Sequence, residues 1–391
     1  MSRAPASADV AVVGGGVIGC AVARALARRG LRVHVLERGI PGREATWAAA
    51  GMLAPRSEAG GPGEFLELGL RSLAAYPGLV AALLEETGVD AGLALTGKLD
   101  VALGGDEAER LRAAAHRSGG ALEWVDAGDL RRLEPDLTED AVGGVWSASE
   151  GSVDSRRLVR GLWLAAARAG ARFRVGVGVA AVERRAGAAF RLRLEDGGTL
   201  EAGRVVVAAG AWSAALAGPS GPVPVRPVRG QMASLRSADG PRHVVYSSAG
   251  YALRREAALA LAGATEEEAG FEDEVTAGGV EEVLGGWRRL FPTLGGAPIG
   301  ATWSGLRPAT PDGLPIIGPD PAEPAFWYAT GHHRNGILLA PETARVCAAG
   351  IADGAAPPER FAPERFLGPR VRPDRPARDE DAARDPLEAS P

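Results

Sequence analysis

Residues 8–37 read ADVAVVGGGVIGCAVARALARRGLRVHVLE, and the fold is decided in this stretch. An apolar run, Ala8 to Val13, is broken by Gly14, Gly15 and Gly16 and then by Gly19, which gives the G-x-G-x-x-G spacing. Val17 to Arg29 carries helical apolar spacing, and Arg32 to Leu36 reads as a second strand ending at Glu37. This is a βαβ unit. Its glycines permit a tight turn and close approach of a pyrophosphate, and the helix N-terminus offers free N–H groups to phosphate. Glu37 falls where a carboxylate can accept from ribose hydroxyls. The unit fits NAD and FAD equally, and its bland alternative is a glycine turn without a ligand.

Outward from that unit, the 391 residues are 46% apolar and 24% charged, enough to build one large or two ordinary cores. A net charge of -5 shows no basic excess, which argues against nucleic acid or an anionic membrane as partner and leaves small molecules. The N-terminal residues lack a basic start followed by a long apolar core, and no uncharged run reaches the length of a membrane span. Cys20 and Cys347 cannot alone make a disulfide framework or a zinc site, and each reads as a buried small apolar residue. A reduced, soluble, cytoplasmic protein with no integral membrane segment is expected.

Further along, helical patterns cover 65–87, 106–117 and 155–170, and residues 188–200 read as a hairpin with an Asp-Gly-Gly turn. Arg204 to Ser213, RVVVAAGAWS, is a continuous apolar strand running into a glycine turn, as in a parallel sheet covered on both faces. Residues 223–318 change to period-2 strands with one helix near 275–290, which predicts an antiparallel sheet with one exposed face. A short strand at 326–329 and a helix at 336–349 return the chain to the first sheet. The expected class is α/β (α+β): a Rossmann-like domain on a parallel sheet, made of residues 8–90, 150–215 and 320–365. It is interleaved with a substrate domain on an antiparallel sheet, residues 91–149 and 216–319. The Pro- and charge-rich residues 367–391 read as a disordered tail.

Three segments carry candidate chemistry. In REATWAAAGMLAP, residues 43–55, small side chains let backbone lie flat against a planar ring, or simply pack as a tight loop. WSGLRPATPDGLPIIG, residues 303–318, places Arg307 at a strand end, where a guanidinium can clamp a carboxylate bidentately or form a surface ion pair. ATGHHRNGILLAPETARV, residues 329–346, has adjacent His332 and His333, but neighbours point apart and no metal-binding spacing is present. It reads instead as a turn feeding a helix whose free N-terminus favours negative charge, as around N1 and the C2 carbonyl of a reduced flavin. Tyr246, Tyr251 and Trp303 read as core aromatics, and the acidic run TEEEAGFEDE, residues 265–274, as a solvated loop rather than a gate.

With these residues in view, the chain resembles flavin-dependent amine oxidases of the D-amino acid oxidase superfamily, and most closely the glycine oxidases of the thiazole (thiamine) pathway. The likeness runs from about Asp9 to Phe361 and is densest in VVGGGVIG, ATWAAAGMLAP, VVVAAGAWS, VRGQM, GATEEEAGF, GLRPATPDGLPIIG and TGHHRNGILLAP. The resemblance implies that Gly14, Gly15, Glu37, Arg38, Ala45, Thr46, Ala50, Gly51, Met52 and Val179 surround FAD. It implies that His332, His333, Arg334, Asn335, Gly336, Ile337 and Leu338 pass beside the isoalloxazine. Arg307 would hold the substrate carboxylate, Tyr251 would hydrogen-bond near it, and Arg334 would sit at the flavin–substrate junction.

Some relatives place a histidine two residues before the tyrosine matching Tyr251, whereas Ala249 stands here, which implies a roomier pocket. Segment 305–312 lacks the cysteine that attaches flavin covalently in some relatives, so non-covalent FAD is expected. The implied reaction is oxidative deamination of glycine, with sarcosine and small D-amino acids beside it, by hydride transfer to flavin and reoxidation by oxygen. The rival readings are a dehydrogenase using another acceptor, an NAD enzyme, and a non-catalytic FAD-carrying subunit. A homo-oligomer and a functional link to thiazole synthase complete the partners implied.

Overall fold

The computed structural model describes residues 7–185 and 189–367. All of the expected tail beyond residue 367 therefore lies outside the described residues.

One sheet is built from the two ends and the middle of the chain. Its strands run in the order Ile316–Asp320, Glu323–Thr330, Thr199–Val207, Ser7–Val13, Val33–Glu37, Arg172–Val175. Ser7–Val13 pairs in parallel with both Thr199–Val207 and Val33–Glu37. The apolar run of this central strand is unbroken because both its faces are covered. Val10 and Val12 enter a core shared with the helices Val17–Ala27, Ser155–Arg168 and Gly336–Asp353, while Ala11 and Val13 enter a second core on the opposite face. Phe190–Leu194 and Thr199–Val207 form the expected hairpin, with Leu192 opposite Leu200.

The second sheet runs Ile299–Ala309, Arg226–Arg236, Leu259–Gly263, Gly250–Glu256, Val244–Ser247, Lys98–Ala102, Gly143–Ser147, Glu123–Asp126. It differs from the sequence expectation in two respects. Val244–Ser247 pairs in parallel with Lys98–Ala102, so the sheet is mixed. Neither of its faces is simply exposed. The helix Ala277–Leu290 covers one face through Val283, Trp287 and Leu290. On the other, Met232, Leu253, Leu261 and Trp303 pack against Ala48 and Ala50 from the small-residue segment 43–55. The apolar residues on that second face require a cover, and the alanine-rich loop supplies it.

By length and composition the helix Glu64–Thr87 could cross a membrane. Here its Leu68, Leu73, Tyr76 and Leu83 are buried in the same core as the Gly336–Asp353 helix. Pro341 inside that latter helix has no N–H for the Ile337 carbonyl four residues earlier. The Tyr76 hydroxyl donates to that carbonyl instead. Ser72 Oγ donates to the Leu338 carbonyl at 2.7 Å and accepts from the Glu342 N–H at 3.3 Å. Two side chains of one helix thus repair the broken ladder of the other, just inside the end that faces the cavity described next.

Candidate active site

A cavity of about 350 Å³ opens where the two sheets meet. Gly16 and Val17 reach it from the glycine turn, Ala208 and Gly210 from the end of the neighbouring strand, and Ala45, Thr46, Ala50, Gly51 and Met52 from the small-residue loop. His332, His333, Arg334, Gly336 and Ile337 enter with the last helix, and Tyr246, Tyr251, Thr265 and Arg307 from the second sheet.

The glycine turn is sterically obligatory. Gly14 has φ +108°, and a Cβ there would lie 2.3 Å from the Ala208 carbonyl oxygen. A Cβ on Gly19 would lie 1.9 Å from the Gly14 carbonyl oxygen. Behind the turn, the nearly buried Glu37 carboxylate accepts from the Gly15 N–H at 2.7 Å and the Gly39 N–H at 2.8 Å. Thr46 Oγ1 accepts from the Val17 N–H at 3.1 Å. Beyond the cavity, the Arg38 guanidinium stacks 3.6 Å from the centre of the Trp212 ring, and Val179 opens the strand Val179–Arg184. Asn335 and Leu338 are buried beside the cavity without lining it.

These residues fit a flavin dinucleotide. The start of the Val17–Ala27 helix, which has no side-chain cap from Gly16, would take the phosphates. The alanine loop is pressed against backbone, since a Cβ on Gly51 would lie 2.0 Å from the Val153 carbonyl oxygen. The Gly336–Asp353 helix also starts without a side-chain cap. His332 is buried, with Nε2 3.0 Å from Thr343 Oγ1, and burial lowers its pKa to about 3, so the ring is neutral. His333 has φ +48°, a region costly for a residue with a Cβ, and its Nε2 lies 3.6 Å from the Glu266 carboxylate. Burial lowers the His333 pKa, against the opposing pull of Glu266. Among the described residues no cluster of three or more His, Cys, Asp or Glu could hold a metal ion.

On the second sheet, Arg307 Nη1 donates to the Thr265 carbonyl at 3.0 Å and the Arg229 carbonyl at 3.5 Å. Among the described residues no carboxylate lies within ion-pair distance of Arg307. Gly230 makes room for it, since a Cβ there would lie 2.2 Å from Arg307 Nη2. Gly263, paired with Tyr251 across the sheet, does the same for the Tyr251 ring, which a Cβ would meet at 2.7 Å. Tyr251 Oη lies 3.5 Å from Met232 Sδ, and burial raises its pKa against the opposing pull of Arg307 and Arg334. Arg334 makes a two-point ion pair with Glu58, at 2.8 and 2.9 Å, on the short helix Pro55–Ala59.

Tyr246, which the sequence presents as a core aromatic, stacks parallel to Tyr251 with ring centres 6.3 Å apart and lines the cavity. The signal for it is the hairpin VVYSSAGYAL, whose short turn sets Tyr246 directly opposite Tyr251. Glu58 and Glu266 carried no such signal. The acidic run 265–274 is largely the exposed loop it reads as, but Thr265 is buried and Glu267 accepts from Arg229, Gln231 and Thr265.

Comparison with known proteins bears on the family and the fold. A family model described as FAD dependent oxidoreductase (DAO) matches residues 9–349. The chain is 37% identical over 371 residues to a "Bifunctional protein ThiO/ThiG" of Synechocystis sp., covering 92% of this chain and 54% of that one. It thus spans about half the length of the bifunctional relatives it matches. Similarity to a glycine oxidase of Geobacillus kaustophilus is 37% over 345 residues, 86% of this chain and 90% of that one. The crystal structure of glycine oxidase from Geobacillus kaustophilus superposes with a TM-score of 0.88 at 34% identity, covering 93% of this chain and all of the other.

Proposed function

The chain belongs to the DAO family of FAD-dependent oxidoreductases, and from that premise we propose that it oxidises the amine of glycine. Sarcosine and small D-amino acids complete the substrate set. Glycine, oxygen and water give glyoxylate, ammonia and hydrogen peroxide. The glycine oxidases it resembles over most of its length support the reading. The product is proposed to feed thiazole assembly for thiamine, with a functional link to thiazole synthase, a reading supported by the half-length match to bifunctional ThiO/ThiG proteins.

The observation that carries the proposal is Arg307: a cation beside the cavity whose nearest partners are two backbone carbonyls and no carboxylate among the described residues. A planar guanidinium there offers two parallel donors to a substrate carboxylate and so fixes Cα. Tyr251, kept protonated by burial, donates or accepts near that carboxylate. Arg334 closes the junction between substrate and cofactor.

For FAD, the glycine turn and the Val17–Ala27 helix would take the pyrophosphate, and Glu37 the ribose. Arg38 and Val179 would flank the adenosine half, residues 45–52 one face of the ring system, and residues 332–338 its rim. FAD supplies the redox chemistry when bound, accepting hydride from the substrate Cα and returning electrons to oxygen. That hydrogen leaves with its electron pair, so no side chain has to abstract a Cα proton. Non-covalent attachment is part of the proposal, since both cysteines are buried and neither lines the cavity. Two buried free thiols also suit the proposed cytoplasmic location. We assign residues 8–90, 150–215 and 320–365 to the FAD domain and 91–149 and 216–319 to the substrate domain, except that residues 316–319 go with the FAD domain, because the strand Ile316–Asp320 pairs with Glu323–Thr330 in the first sheet.

The test is anaerobic mixing of the purified yellow protein with glycine, sarcosine or D-alanine. Bleaching of the flavin followed by peroxide release in air is expected. A protein that bleaches with none of them refutes the proposal, and bleaching without peroxide points to another electron acceptor.

A further inference from the structure

Two guanidinium groups face the cavity, and their surroundings differ. Among the described residues Arg307 is held by carbonyl oxygens and no carboxylate, so its charge is uncompensated there. Arg334 is matched by Glu58 through two hydrogen bonds in fork geometry, and the Glu58 side chain is only 12% exposed. Both cations lie close enough to Tyr251 and His333 to act on them electrostatically, so they flank one shared space. Glu266, which also lines the cavity, lies 3.6 Å from His333 Nε2 and adds negative charge. Glu282 lines the cavity as well. Among the described residues, fixed charge around the cavity is therefore one cation without a carboxylate partner, one neutralised cation and two further carboxylates, Glu266 and Glu282.

We infer that Glu58 is a specificity-determining residue: by occupying Arg334 it leaves room for a single substrate carboxylate, so the site takes monocarboxylate amines and rejects dicarboxylates. This rests on the amine-oxidase reading above and refines it. A second carboxylate in the cavity must either displace Glu58 from Arg334 or sit unpaired near Glu58, Glu266 and Glu282. Both cost free energy that a monocarboxylate does not spend. The short helix Pro55–Ala59 holds Glu58 in place from below. Ser57 Oγ donates to Asp100 Oδ2 at 2.9 Å, and the Arg56 N–H donates to Glu150 Oε1 at 2.9 Å. Glu58 does not line the cavity and is assigned no contact with the substrate.

The experiment titrates the FAD-loaded protein with acetate and with malonate, reading perturbation of the flavin absorption band, and measures turnover of glycine and of iminodiacetate. For the natural chain, acetate is expected to bind more tightly than malonate by roughly tenfold or more, the scale of one charge-assisted pair. Glu58→Gln keeps the shape of the side chain and removes its charge. It should reverse the preference toward malonate and raise turnover of iminodiacetate relative to glycine by about tenfold or more, while Glu58→Asp restores the original order. Equal binding of acetate and malonate to the natural chain overturns the inference without any variant. So does a folded, yellow Glu58→Gln protein with unchanged preference. If no amine bleaches the flavin but the acetate preference reverses in Glu58→Gln, the charge logic stands and the glycine reading falls. If glycine bleaches it and the preference is absent, the reverse holds.

Discussion

Tyr76→Phe tests how the cavity end of the last helix is held. The hydroxyl removed is fully buried and is the donor that replaces the missing N–H of Pro341 at the Ile337 carbonyl. Losing a hydrogen bond costs on average about 1 kcal/mol, and leaving a buried carbonyl unpaired costs about 1–3 kcal/mol. The phenyl ring still fills the volume, so no cavity penalty is added. The expected loss is therefore about 1–3 kcal/mol, read as a shift in the guanidinium midpoint of the FAD-loaded protein. Pro341→Ala supplies the control. It restores an N–H in register with the Ile337 carbonyl, so Tyr76→Phe in the Pro341→Ala background should cost clearly less than in the native one. A coupling of about 0.5 kcal/mol or more between the two sites is expected. The reasoning fails if Tyr76→Phe is as stable as the parent, or if its cost is the same in both backgrounds.

Arg307→Ala should keep FAD but lose about 10- to 150-fold in kcat/KM for glycine, the equivalent of a charge-assisted pair of about 1.5–3 kcal/mol; unchanged kinetics would remove it from the site. Gly230→Ala should act at a distance, because its Cβ would strike Arg307 Nη2, raising KM while flavin content stays the same. Glu37→Gln removes the anion that accepts from Gly15 and Gly39, and should lower the flavin retained on dilution; equal retention counts against the ribose assignment. At saturating FAD, stability should fall as pH drops from about 6.5 toward 3. Across that window the unfolded chain protonates His332 while burial keeps the folded ring neutral, at up to about 1.4 kcal/mol per pH unit. Burial lifts Glu150 from 4.5 to about 6, so its folded form holds a proton that the unfolded form has lost and it works in the opposite sense between those values. His332→Gln should flatten the slope and Glu150→Gln steepen it in denaturation midpoints from pH 4 to 7; no change in either variant refutes the assignment.

What could be read from the residues alone is what local spacing encodes. The βαβ unit shows because its strand is buried on both faces and its turn admits only glycine at Gly14 and Gly19. Arg307 stands out as a strand-end cation among apolar neighbours. Long-range register leaves no such trace. The parallel pairing of Val244–Ser247 with Lys98–Ala102 joins segments well over a hundred residues apart, and alternation looks alike in either direction. Glu58 sits on a five-residue helix, too short for periodicity to show, and its partner lies 276 residues away. Tyr76 and Ser72 look like ordinary members of an amphipathic helix until Pro341 is placed against them.

Among the described residues, the helices of ten or more residues compensate their N-termini in one of two ways, with two exceptions. Asp154 caps Ser155–Arg168 and Thr276 caps Ala277–Leu290. Glu64–Thr87 has Glu64 and Glu67 in its first turn, and Gly105–Arg117 has Asp106 and Glu107. Val17–Ala27 and Gly336–Asp353 have neither a side-chain cap from the preceding residue nor an acidic first turn, and both begin at the cavity. Thr46 meets one N–H of the first, that of Val17. An uncompensated N-terminus carries roughly half a positive charge, and burying it without an anion costs stability. One chain presents two such ends to one space, from opposite ends of its sequence. That suits a single ligand with a diphosphate at one position and an electron-rich ring edge at another, which is the shape of FAD.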